Sequence, residues 1–169
     1  MTRTGLRTCN GYPVPVFDVA VTYILRDNLG VAEVLLGEKL RGLGAGNIVG
    51  PGGKVEEGET PEEAAIREVR EEVGLVIESH ALSPLARIRY PFLNRENLSQ
   101  RSFVFSTQIF SGEIRESGEL VASWWPVHQI PYERMWADAK LWLPRALLGR
   151  FIEATVVIGE NNEVLSHDC

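Results

Sequence analysis

The chain predicts a mixed α/β fold of several strands and two helices, and three observations carry that reading. Runs rich in β-branched residues recur along it, a capped amphipathic helix sits near its middle, and a second apolar helical stretch lies in its last third. Residues 14–25 ("VPVFDVAVTYIL") alternate as a strand does, Asp27-Asn28-Leu29-Gly30 carries turn chemistry, and residues 31–36 return as the second arm of a hairpin. Residues 42–53 are rich in glycine and read as a loop with special backbone needs. Thr60 then caps a helix, with Pro61 at its first position, Glu63 completing a capping box and Gly74 as its stop. Strands are expected at 85–92, 102–110 and 122–127, and a helix over 137–150 that Pro144 should kink or divide. Residues 151–158 and 164–166 complete the pattern as a short hairpin around "GENNE".

The 169 residues, 44% hydrophobic and 24% charged, suit one globular domain with its core at about 14–158. A net charge of −6 argues against non-specific nucleic-acid binding, which needs a basic footprint. Cys9 and Cys169, near the two ends, make no disulfide framework and read as free thiols in a reducing compartment. No basic-then-apolar leader opens the chain, and no apolar run reaches the eighteen or so residues of a membrane span. The expectation is a cytoplasmic protein with no membrane and no obligate protein partner.

Helical geometry places Glu68, Glu71 and Glu72 on one stripe, at i, i+3 and i+4. Ala65, Ile66, Val69 and Val73 form the neighbouring apolar stripe, so the carboxylates border the core. Composition alone leaves two readings open. One is a solvated acidic face. The other is a site for a hard divalent cation such as Mg²⁺, held by carboxylates together with substrate phosphates, with the preceding glycines and Lys54 meeting the phosphate.

From Gly53 to Leu75 the chain has glycine, five residues, Glu59, seven residues, then Arg67-Glu68-Val69, Glu71-Glu72 and Gly74-Leu75. This pattern resembles the signature of the Nudix hydrolases at every fixed position. The resemblance implies an α/β/α sandwich with a mixed sheet, and a small-molecule substrate in which a nucleoside diphosphate is linked to a further group. It implies Glu68, Glu71 and Glu72 as Mg²⁺ ligands (Mn²⁺ as a substitute), with Gly52 and Glu119 joining the metal site. One of Glu71 and Glu72 would position or deprotonate the attacking water. Gly53, Glu59 and Arg67 become structural supports of the helix.

Outside the signature, "LLGEKLRGLGAG", "WWPVHQIPYERMWAD" and "LWLP" resemble the MutT-type subgroup that hydrolyses oxidised purine nucleoside triphosphates. That likeness implies Trp136 stacking on a purine, Asp138 reading its edge, and Tyr90, Phe92 and Leu43 as pocket walls. Lys39 and Lys54 would approach the phosphates. Two positions depart from the subgroup's pattern, Val49 in place of an asparagine and Ala139 in place of a second acidic residue, with Asn47 as a partial substitute for the first. The implied reaction is Mg²⁺-dependent release of pyrophosphate from a modified purine triphosphate. A nucleotide sugar, a dinucleoside polyphosphate or a prenyl diphosphate is the alternative substrate.

Overall fold

The structure, a computed structural model, describes residues 10–169; Cys9 lies outside them. In chain order the elements are β1 (Phe17–Asn28), β2 (Val31–Lys39), β3 (Ile48–Val49), β4 (Gly52–Lys54), α1 (Pro61–Val73), β5 (Ser83–Tyr90), β6 (Gln100–Thr107), β7 (Leu120–Pro126), α2 (Ala139–Leu147), β8 (Ile152–Ile158) and β9 (Val164–His167). The strands run β3-β2-β1-β6-β5-β8-β9, with β4 also paired to β1 and β7 to β2. The β1–β6 and β5–β8 pairs are parallel and the others antiparallel, so the sheet is mixed.

Successive residues of the central strands feed different cores. Ile24 and Leu35 pack with Val69 and Val73 of α1, whereas their neighbours Tyr23, Val34 and Leu36 pack with Trp142 and Leu143 of α2. Ala20 adds a third contact with Ala64 and Ala65 of α1. A strand covered on both faces needs no polar alternation, so the alternation expected over residues 14–25 gives way in β1 to a nearly continuous apolar run. The outcome is the Nudix-type α/β/α sandwich.

α1 spans the residues predicted for it, with Thr60 accepting from the Glu63 N–H, Glu63 accepting from the Thr60 N–H, and Gly74 in the left-handed region at φ 77°. Several boundaries differ from expectation. β1 runs on to Asn28, and the turn narrows to Leu29 and Gly30, both at positive φ, as a two-residue hairpin requires. The glycine-rich segment is not all loop, since it contains β3 and β4. β6 begins at Gln100 and ends at Thr107, short of Phe110. α2 is shorter than predicted and continues through Pro144. Among the described residues no helix is long and apolar enough to cross a membrane.

Candidate active site

α1 turns its acidic face toward β4. Glu72 is buried at 8% exposure and accepts a hydrogen bond of 2.8 Å from the Gly52 N–H. Burial, reinforced by the neighbouring Glu68 and Glu119 carboxylates, pushes its carboxyl up to about 7 against the pull of Gly52 and Lys39. Glu68 is likewise raised, by burial first, with Arg67 opposing. Its carboxylate lies against Gly53, where a Cβ would come within 2.4 Å of Oε1. Gly52 is constrained on its other side, since a Cβ there would meet the Ala20 carbonyl at 2.3 Å. The glycine pair therefore has a specific reason: β4 is pressed between β1 and the glutamates.

Arg67 organises the face. Its Nε and Nη2 donate to both oxygens of Glu59, at 2.6 and 3.0 Å, and Nη2 also donates to the Lys54 carbonyl. Nη1 reaches Glu68 at 2.7 Å and the more exposed Glu71 at 3.2 Å. The expected Arg67–Glu59 pair is thus present, and Arg67 in addition claims two of the three glutamates. Glu119 is largely exposed and sits 3.6 Å from Arg41. Among the described residues no three His, Cys, Asp or Glu side chains converge as a closed metal cage as they stand. The donor chemistry nevertheless fits a hard divalent cation: the groups are all oxygens, and crowded carboxylates with raised affinity for a proton are relieved by positive charge.

On the opposite side of β4 a cavity of about 460 Å³ opens between the sheet and α2. Gly52, Gly53 and Lys54 form one wall, and Lys39 and Val49 lie at the same end. Trp136 and Asp138 line the α2 side with Ala139. Trp136 meets Phe92 edge-on at 6.4 Å and packs directly on Gly44, whose hydrogen makes room for the indole. Asp138 is buried, and its Oδ2 accepts 2.8 Å hydrogen bonds from the Tyr90 hydroxyl and the Trp142 indole N–H. Burial raises its carboxyl while those two donors hold it down. Tyr90, Phe92 and Leu43 are walls, as predicted. Asn47 is not among the lining residues; its backbone carbonyl accepts from the Lys39 N–H.

The lining also includes residues without a role in the sequence reading, Trp142, Gln100 and Ser102 among them. Trp142 had been absorbed into an apolar helix pattern. Gln100 and Ser102 are polar residues at alternate positions of β6, on the side opposite Phe103 and Phe105, and Gln100 joins that row only because β6 starts there.

The sandwich thus sets the acidic face of α1 behind a glycine strand and beside an aromatic cavity. Residues 16–146 match the NUDIX domain. The chain is 42% identical to the oxidized purine nucleoside triphosphate hydrolase of Danio rerio and 40% identical to that of Mus musculus, in each case over 68% of this chain and 72% of the relative. The crystal structure of a MutT protein from Bacillus halodurans has the same fold, with a TM-score of 0.75 at 23% identity, covering 90% of this chain and 97% of that one. The chain belongs to the NUDIX family, whose hydrolases generally use divalent metal ions.

Proposed function

We propose that this protein hydrolyses oxidised purine nucleoside triphosphates to the monophosphate and pyrophosphate in a Mg²⁺-dependent reaction, removing damaged nucleotides from the pool. One observation carries the reading: a single strand, Gly52–Lys54, separates a base-sized aromatic cavity from the acidic face of α1. A nucleotide whose base lies against Trp136 has its phosphates directed toward β4, where the glycines allow close approach and Lys39 and Lys54 supply positive charge. The names of the relatives at about 40% identity support the substrate class.

Glu68, Glu71 and Glu72 would hold the cation, with the Gly52 backbone and Glu119 beside them. When bound, a divalent cation neutralises phosphate charge and makes an attacking water more acidic. Either Glu71 or Glu72 would position the attacking water; the raised Glu72 carboxyl belongs to the cation-free site, since a bound cation would draw it down. Arg67 and Glu59 orient the helix face, and Trp136 stacks on the base. Asp138, with Oδ2 committed to Tyr90 and Trp142, has Oδ1 to offer the base edge.

Glu71→Gln and Glu72→Gln test the assignment. Each is expected to lower kcat about 10²–10⁴-fold with an unchanged circular dichroism spectrum. Full activity in either variant removes that residue from the site, and products other than monophosphate and pyrophosphate point to a different bond.

A further inference from the structure

Two polar side chains on the cavity floor have no part in the site as proposed. β6 presents Gln100, Ser102 and Val104 to the cavity, alternating with Arg101, Phe103 and Phe105. Ser102 is buried and Gln100 half-buried. Gln100 is the cross-strand partner of Tyr90 on one side and of Phe17 on the other, so it stands beside the tyrosine that holds Asp138. No described residue hydrogen-bonds the Gln100 amide or the Ser102 hydroxyl.

Their polar atoms are not sealed from solvent, so both groups stand open to a molecule that enters the cavity. The positions where polar readers were expected, Val49 and Ala139, also line the cavity but offer no side-chain hydrogen bond. Apart from Asp138 at the start of α2, further hydrogen-bonding capacity lies on the β-sheet floor of the cavity.

We propose that Gln100, assisted by Ser102, reads the edge of the purine. This rests on the reading that the cavity holds a nucleotide base. A carboxylate offers only acceptors when ionised, whereas an amide offers a donor and an acceptor side by side. That pair matches the amino group and N7 of a 6-aminopurine, and after a half-turn of the amide it matches the carbonyl and N7–H of an 8-oxo-6-oxopurine. The amide therefore suits a purine edge that presents one donor beside one acceptor, and it disfavours unmodified guanine, whose O6 and N7 are both acceptors.

The test is calorimetric titration of the intact protein with the deoxynucleoside monophosphates of 8-oxoguanine, 2-hydroxyadenine, guanine and adenine. Gln100→Met keeps the length of the side chain and removes both hydrogen-bonding groups. It is expected to weaken binding of the purines that the unaltered protein prefers by roughly tenfold and to level the differences between bases. Ser102→Ala should shift affinity in the same direction by less. Gln100→Glu, which keeps the shape and loses the donor, should weaken binding of both matched edges, since each also presents an acceptor. Base ratios unchanged in Gln100→Met and Gln100→Glu overturn the inference, as does an unaltered protein with no base preference. Base-selective binding that depends on Gln100, in a protein that leaves the matching triphosphates intact, keeps the inference and overturns the proposed function.

Discussion

Gly52 and Gly53 are adjacent and both lack room for a side chain, yet the structure assigns them different consequences. At Gly53 the obstacle is the end of the Glu68 side chain, which can swing away. Gly53→Ala should therefore leave the melting temperature almost unchanged while displacing Glu68, and lower kcat/KM about 10²-fold. At Gly52 the obstacle is the backbone of Ala20 and Val21, which cannot yield without moving β1. Gly52→Ala should destabilise the protein by about 1–3 kcal/mol, seen as a lower midpoint in urea. Equal stability losses in the two variants would contradict the geometry. Trp136→Ala offers a third contrast: it should raise KM for a purine triphosphate far more than it lowers kcat, since stacking binds the base without touching the reacting phosphorus.

α1 was the most legible element because its signals are local. Thr60, Pro61, Glu63 and Gly74 mark its ends within a few residues of chain, and Thr60→Ala should cost about 1 kcal/mol, or roughly 2–4 °C in melting temperature. β4 was illegible for the opposite reason. Glycine is poor in strands, and this strand exists through pairing with Val19–Val21, about thirty residues away in the chain. The two roles of Arg67 divide along the same line. Its pairing with Glu59 was implied by the family signature and its contacts with Glu68 and Glu71 lie within one helix, but its bond to the Lys54 carbonyl depends on how α1 lies over β4. α1 also carries a pH signature. Because the Glu72 carboxyl is raised in the folded protein, the folded state binds the extra proton between the ordinary carboxylate range and about pH 7. Stability of the metal-free protein should therefore fall as pH rises through that window, and Glu72→Gln should flatten the slope when unfolding is followed in urea at several pH values. A slope unchanged in Glu72→Gln would mean that the buried carboxyl is not the source.

At the scale of the whole molecule the sheet separates two tasks, with α1 and its carboxylates over one face and α2 and the aromatic cavity over the other. The family was readable from nine signature positions between Gly53 and Leu75, and the cavity in part from Trp136 and Asp138. The cavity floor was not, because the strand was expected to begin at Ser102, which left Gln100 outside it, and which face of β6 meets the cavity is set by pairing with β1 and β5, remote in the chain. Base choice is consequently the least determined part of the sequence reading. The most direct test of the central claim is a pyrophosphate-release assay in Mg²⁺ with 8-oxo-dGTP, 2-hydroxy-dATP, the four ordinary deoxynucleoside triphosphates, ADP-ribose and diadenosine tetraphosphate. The account predicts a clear kcat/KM preference for the oxidised purine triphosphates, with pyrophosphate as the product. Equal turnover of all triphosphates, or a preference for ADP-ribose or the dinucleotide, would contradict it.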